Sequence, residues 1–281
     1  LYYFGEFELE HGGVGGDNTF VEQAYLDYGI HPNIAVKTGA IQTPFNRFDE
    51  FHDPLSNFTV TRPQVSREIG VSAWKDVGVD LHGYAGLAER TSVTFDLYAI
   101  NGLGDGSNLR ASRQYRDNNE DIALGGRLSI LHDDIIEVGG SAYGGKWDSE
   151  GQHDLRMYGA HTLIRTPFAD FYGEFASAIS ENPGSVEDGE MRGYFLQASR
   201  LLGTRYRPTL RYGLLDYDDP GDQLGRDPSK GRKNLTELVL ALAYYPAPDV
   251  AFKIEYAAFD EGSGVDEVDN DQLGLQAAVR F

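Results

Sequence analysis

The chain has 281 residues, with 24 Lys and Arg against 44 Asp and Glu, a net charge of -20 and no cysteine. That balance excludes a nucleic-acid binder, which needs a basic footprint, and the missing thiols exclude a disulfide scaffold, a Cys-ligated zinc site, a thiol nucleophile and a covalently attached c-type haem. A mean hydropathy of -0.41 and a longest apolar run of about eight residues (Leu238–Tyr245) exclude spanning helices, which need about 18; the 34 Gly, 17 Tyr and 15 Phe fit the one membrane class that crosses with strands.

Taken in chain order, a period of two predicts fourteen strands: 1–11, 19–29, 34–42, 77–86, 92–101, 121–130, 134–146, 154–165, 169–180, 190–201, 206–216, 234–245, 249–259 and 270–281. In the last of them Leu273, Leu275, Ala277, Val279 and Phe281 share one face and Gln272, Gly274, Gln276, Ala278 and Arg280 the other. Each strand is close to the 9–11 residues that a tilted strand needs to cross a bilayer. In hydrocarbon every backbone N–H and C=O needs a partner within the protein, so only a closed sheet spans.

The connections alternate in length. Short ones lie at 30–33, 87–91, 131–133, 166–168, 202–205 and 246–248; long ones at 12–18, 43–76, 102–120, 147–153, 181–189, 217–233 and 260–269. Short turns at one rim and long loops at the other predict an all-β, transmembrane, antiparallel up-and-down β-barrel of the bacterial outer membrane, as one domain over 1–281. A soluble β-sandwich would alternate too, but would not segregate its loops by length. Tyr28, Phe168, Tyr206, Tyr244, Phe252 and Phe281 fall near the short-turn ends and predict an interfacial aromatic girdle. The chain opens inside a strand with no leader, from which residues upstream of Leu1 are expected.

Strand parity places Glu6, Glu8, Glu10, Asp27, Asp80 and Asp96 inward on the first five strands, opposed by Lys37. The later strands place Arg127, Arg156, Arg207, Arg211, Lys253 and Arg280 inward, with Glu137, Glu174 and Glu255. The expected lumen is polarised, acidic on one wall and mixed-to-basic on the other, a field in which charged and dipolar solutes orient; the competing reading is local pairing of solvated residues.

The long segment 43–76 is the expected constriction. Pro44 and Pro54 break strand pairing, Arg47, Asp49, Glu50, His52 and Asp53 concentrate charge, and Arg62 and Arg67 follow. A loop this long in a compact domain usually has a function; the alternative is a loop lying outside the rim.

Gly5–Glu10, Val21-Glu22-Gln23-Ala24-Tyr25-Leu26-Asp27-Tyr28, Lys37-Thr38-Gly39-Ala40-Ile41-Gln42-Thr43-Pro44-Phe45 and Asp96-Leu97-Tyr98-Ala99-Ile100-Asn101-Gly102-Leu103 resemble the phosphate-selective porin O/P family. The resemblance covers about the first hundred residues and the Phe-ended final strand. It implies a 16-stranded barrel, with one hairpin upstream of Leu1, a homotrimer and a long loop folded into the pore. The anion ladder of Arg and Lys that the phosphate-selective members carry is not visible here, so phosphate selectivity is not carried over.

Other constellations are weaker. Asp218, Asp219 and Asp222, and Asp266, Glu267 and Asp269, are oxygen-rich groups that would take weak calcium. They lack EF-hand spacing, and solvated surface acids are the competing reading. The seven His show no metal-ligand spacing, and Gly102–Gly106 leads into a polar loop rather than a helix, unlike a phosphate-binding fingerprint. The expected function is a porin, a passive diffusion channel for ions and small hydrophilic solutes, partnered by outer-membrane lipid and lipopolysaccharide. The alternatives are a structural or sheath barrel of an outer-membrane complex, for example around an electron conduit, and a barrel enzyme, for which Ser72, Ser129 and Ser141 carry no adjacent signature. The long loops hold 23 acids against 11 bases, which predicts a negative outer mouth and a weak preference for cations.

Overall fold

A computed structural model describes residues 1–9, 19–104, 106, 109–111, 117–182, 188–217, 234–262 and 269–280. Its strands are β1 (Tyr2–Leu9), β2 (Thr19–His31), β3 (Ile34–Gln42), β4 (Lys75–Ala88), β5 (Thr91–Ile100), β6 (Ala123–His132) and β7 (Ile136–Lys146). The second half adds β8 (Asp154–Arg165), β9 (Asp170–Ser180), β10 (Gly189–Ser199), β11 (Tyr206–Tyr217), β12 (Asn234–Ala247), β13 (Val250–Glu261) and β14 (Gln272–Val279). They form one sheet in strict sequence order, every neighbouring pair antiparallel, with β1 and β14 at the two ends of that order. The predicted strands and observed strands coincide within a few residues. Pairing continues further toward the short turns than alternation shows, as in β4, which reaches Ala88, and β12, which reaches Ala247. Asp133 and Asp134, both at positive φ (56° and 57°), close the β6–β7 hairpin with the backbone that a tight right-twisted hairpin requires.

The two faces of the sheet differ as the alternation demands. Leu238, Leu240 and Leu242 of β12, Phe252, Ile254 and Tyr256 of β13, and Leu273 and Leu275 of β14 all stand exposed on the outside. An apolar surface this continuous is not tolerated in water, so it is the lipid-facing belt. Tyr28, Phe168, Tyr206 and Phe252 are exposed at its short-turn side, and Tyr206 stacks on Tyr244 with centroids 5.0 Å apart. Phe281 lies outside the described residues.

The hydrophobic core lies inside the curl of the sheet. Residues 43–74 cross from β3 to β4 through a 3-10 turn (Phe48–Phe51) and a short helix, α1 (Gln64–Glu68). Phe45, Phe48, Val65, Ile69, Val71 and Trp74 of this segment are buried with Tyr98, Tyr143, Met157, Met191, Phe195, Leu215 and Phe259 of the strands. Trp74 meets Tyr143 edge-on at 5.0 Å, and Phe48 meets Phe195 at 6.2 Å. Each such fully buried side chain contributes about 1.5–3 kcal/mol. Small inward residues make room for the chain: a Cβ at Gly274 of β14 would stand 3.1 Å from Val60, and one at Gly193 of β10 3.1 Å from Val65. Since one segment reaches strands from β2 to β14, the sheet curls round it.

Candidate functional site: an inward loop and the wall that holds it

Residues 43–74 are fastened by charged groups projecting from the inner wall. Glu255 of β13 accepts hydrogen bonds from the Val60 and Thr61 amides at 2.6 and 3.1 Å and from the Thr61 hydroxyl at 2.6 Å. Lys253, on the same face of β13, donates to the Asn57 and Thr59 carbonyls at 2.6 and 3.2 Å and to Gln276 at 2.9 Å. Arg211 of β11, fully buried, donates to the Thr59 hydroxyl (2.7 Å), the Thr61 hydroxyl (2.8 Å) and the Thr61 carbonyl (3.1 Å), and pairs with Glu237 of β12 at 3.3 Å. Glu237 also accepts from the Gln64 amide at 3.2 Å. Glu174 of β9 accepts from the Phe48 amide at 2.6 Å, from the Ser66 hydroxyl at 3.2 Å and from the Tyr172 hydroxyl. Buried charges persist only when paired and hydrogen-bonded, and here the backbone of the crossing segment supplies the partners.

On the opposite side the segment meets β2, β6 and β7 through ion pairs. Arg47 pairs with Glu137, which is also 3.4 Å from His161. Arg127 is held between Glu50 and Asp96, the latter at 3.0 Å, and reaches the Asn46 carbonyl at 3.4 Å. His52 lies 3.9 Å from Glu22, which pairs with Lys75. Asp49 turns inward to accept the Ala73 amide at 2.8 Å. Burial pushes the Asp49 carboxyl up to about 7, against the lowering effect of His52 and the Ala73 amide. Burial pulls the His52 imidazolium down, but Glu22 and the Asp49 carbonyl and carboxylate outweigh it and leave its pKa raised.

Between Arg47 and Glu50 on one side and the short-turn halves of β2–β7 on the other lies a cavity of about 560 Å³, whose wall includes His82, Asp96, Arg127, Ser129 and Glu137. A second, smaller cleft of about 110 Å³ adjoins it at Arg47, between the segment and β8–β10.

The wall residues expected from parity divide into three groups. Glu6, Asp27, Lys37 and Asp80 do stand inward on β1–β4, paired locally: Glu6 with Gln23 (3.2 Å), Asp27 with His82 (3.3 Å) and Lys37 with Asp80 (3.6 Å). Arg211, Lys253, Glu174 and Glu255 stand inward too, but beneath the crossing segment rather than on open lumen. Arg207 pairs with Asp170 at 2.9 Å, with its guanidinium 4.1 Å from the Phe58 ring centroid. Arg156 is a correction. It shares a face with exposed Tyr158, opposite buried Leu155 and Met157, and pairs with Asp154 at 2.8 Å on the outside. Polarity reads inside from outside only where the outside is lipid. Near the long-loop ends it is water, while the inside is an apolar plug, so the alternation inverts. Arg280 lies past the end of β14, exposed, 3.1 Å from Asp249 at the rim.

Of the crossing segment's own predicted residues, Asp53 is exposed, Arg62 reaches the Ser72 carbonyl at 3.5 Å, and Arg67 lies 3.9 Å from Glu68. Glu10, Asp218, Asp219, Asp222, Asp266 and Glu267 lie outside the described residues, as does the side chain of Glu8; Asp269 is exposed, and no cluster of three or more metal-ligating side chains occurs among the described residues. Glu237 and Gln197 were not among the expected residues. Glu237 has a signal in the sequence, a lone acid in the otherwise apolar inward row Leu235, Val239, Ala241, Ala243.

This architecture is that of the outer-membrane channels and porins: fourteen consecutive antiparallel strands, a lipid-type outer face and a long loop turned inward. Three solved structures share it. An anion-selective porin from Comamonas acidovorans superposes with a TM-score of 0.69 at 11% identity over 99% of this chain and 79% of that one. The outer-membrane channel DcaP of Acinetobacter baumannii superposes at 0.66 with 15% identity, over 99% and 80%. A loop-deletion mutant of the Vibrio cholerae outer-membrane protein OmpT superposes at 0.64 with 12% identity, over 99% and 84%. In sequence, the chain is 22% identical over 307 aligned residues to an uncharacterized protein of Aquifex aeolicus (strain VF5), spanning 96% of this chain and 69% of that protein. No family model matches. These likenesses establish a porin-type barrel fold and do not extend to the phosphate-selective O/P family.

Proposed function

We propose that this chain is a passive diffusion channel of the bacterial outer membrane for ions and small hydrophilic solutes, with residues 43–76 as its constriction. The observation that carries this reading is the segment clamped across the interior, its Arg47 and Glu50 facing the 560 Å³ cavity along β2–β7. Solutes would pass Arg127, Asp96 and Glu137, where three carboxylates (Glu50, Asp96, Glu137) meet two guanidinium groups (Arg47, Arg127). Together with the acidic long loops, this favours cations weakly. The outer apolar belt takes lipid, lipopolysaccharide is the neighbour at the long-loop rim, and the homotrimer implied by the family resemblance belongs to the same proposal.

The test is a planar-bilayer recording of the purified protein. Steady ohmic conductance is expected, with a reversal potential of cation sign under a salt gradient, reduced by millimolar calcium at the loop acids. A reconstituted, folded barrel that passes no current overturns the channel reading. An anion-sign potential unmoved by calcium overturns the selectivity. Native mass in detergent checks the trimer.

A further inference from the structure

The rim of short turns carries two cations that the rest of the chain leaves unbalanced. Acids outnumber bases 44 to 24, and pairing is the rule at the strand ends: Arg90 with Asp133, Arg156 with Asp154 (2.8 Å), Arg192 with Asp216 (3.1 Å) and Arg280 with Asp249 (3.1 Å). Arg200 and Arg205 break that rule. Both are exposed, both lie in the turn that joins β10 to β11, and neither forms an ion pair among the described residues. The sequence holds no acid between Glu190 and Asp216. Across the sheet, Asp170 stands opposite Ser199, but it is taken by Arg207 at 2.9 Å.

The turn is tight. The Leu202 amide donates to the Tyr206 carbonyl at 2.7 Å and the Arg200 amide to the Pro208 carbonyl at 3.3 Å, with Gly203 at a φ of 62°. This fixes the turn against the lipid-facing belt. Arg200 continues the outward row Tyr194, Leu196, Ala198 one step past the end of β10. Leu201 and Leu202 are exposed beside it, and Tyr206 stacks on Tyr244 where β11 begins. Exposed leucines next to an aromatic pair mark the depth at which hydrocarbon gives way to headgroups. Arginines there lay their stems on apolar surface and hold the charge at the level of the lipid phosphates. The guanidinium fork matches phosphate oxygens bidentately. With no carboxylate free to receive an ammonium, the turn complements a headgroup of net negative charge and not a zwitterionic one.

We infer that the β10–β11 turn binds the phosphate of an anionic phospholipid on the short-turn side of the membrane, with Arg200 and Arg205 as its ligands and Leu201 and Leu202 against the upper acyl carbons. The inference rests on the barrel's place in the outer membrane and is independent of the channel reading.

The experiment titrates the whole barrel in detergent with phosphatidylglycerol or phosphatidylethanolamine and counts retained lipid by native mass spectrometry. Phosphatidylglycerol is expected to be held more tightly than phosphatidylethanolamine. Arg200→Gln combined with Arg205→Gln, checked for an unchanged melting temperature, is expected to weaken phosphatidylglycerol binding about thirtyfold. Arg90→Gln, at a paired position on the same rim, is expected to leave it unchanged. Equal retention of the two lipids, a folded double variant with unchanged affinity, or an Arg90→Gln variant that loses as much as the double variant overturns the site. Displacement of the lipid by millimolar glycerol 3-phosphate would reveal a site for the soluble headgroup and overturn the lipid as its occupant. A barrel without conductance that still holds phosphatidylglycerol through the two arginines keeps the lipid site and overturns the channel. A conducting barrel that fails the titration overturns the lipid site and leaves the channel standing.

Discussion

Arg211→Met is the sharpest test of how the crossing segment is held. The arginine is fully buried and makes three hydrogen bonds to Thr59 and Thr61, besides its ion pair with Glu237 at 3.3 Å. Methionine fills much of the same volume but leaves Glu237, itself 1% exposed, with only the Gln64 amide at 3.2 Å as partner from the segment. Removing one member of a buried pair costs about 3–5 kcal/mol, chiefly because the other charge stays buried without compensation. The segment has other anchors at Glu255, Lys253 and Glu174, so it remains docked on average. Its transient release becomes more frequent by roughly two to four orders of magnitude. Hydrogen exchange at the Val60 and Thr61 amides, and limited proteolysis between Asn57 and Gln64, read that release directly. Removing the stranded carboxylate as well, in Arg211→Met with Glu237→Leu, is expected to recover about half the loss or more, because an apolar pair costs no charge desolvation. Unchanged exchange in the single variant would refute the anchoring role. A double variant at least as loose as the single would show that the cost does not come from the buried charge.

Further expectations follow from other contacts. Docking of residues 43–74 should weaken as pH rises. Asp49 has a pKa near 7 when docked against about 4 when released, so the docked state binds more protons between those values, worth up to about 4 kcal/mol across the window. His52, also raised, adds to the same slope, since its contribution is full at low pH and is lost as pH rises through its docked pKa. Protease resistance of the segment at pH 5 and pH 8, with and without Asp49→Asn, measures this, and equal slopes in the two proteins would refute the assignment. Gly274→Leu inserts a side chain against Val60 and should destabilise docking by about 1–3 kcal/mol through overpacking, seen as faster exchange at Val60. Glu50→Gln removes one of the two carboxylates on Arg127 and should shift the reversal potential toward anions; an unchanged potential would place the selectivity elsewhere.

The fold was legible because a spanning strand has no freedom in its pattern. Lipid on one side and a polar or plugged interior on the other force the period of two, and segments such as 249–259 show it residue by residue. The inward crossing of 43–76 was legible from its length, its prolines and its charge. What the sequence did not reveal was the depth of contact between that segment and the wall. Parity assigns Arg211, Lys253 and Glu255 to the inward face but is silent on what stands opposite them, and the partners are backbone groups some 150–196 positions away. Arg156 was misread because alternation carries no information on depth. The same period continues past the membrane, where the polar face is the outer one.

The placement of charge also bears on selectivity. Counted from the strands alone, the later wall is rich in cations and would set a field across the lumen. In the folded chain, Arg211 is paired with Glu237, Arg207 with Asp170, and Lys253 is surrounded by carbonyl oxygens. A charge whose field ends on a partner about 3 Å away contributes little at the distance of a passing ion, because the pair presents only a dipole. The groups left to act on a solute are those on the 560 Å³ cavity, and there Glu50 is the most exposed carboxylate of its cluster, at 45% of its side chain. Selectivity should therefore respond to a change at Glu50 more strongly than to a change at Lys253, although Lys253 belongs to the row of wall cations. Substitution at Lys253 should be read in docking, through the Asn57 and Thr59 carbonyls it holds, before it is read in ion preference.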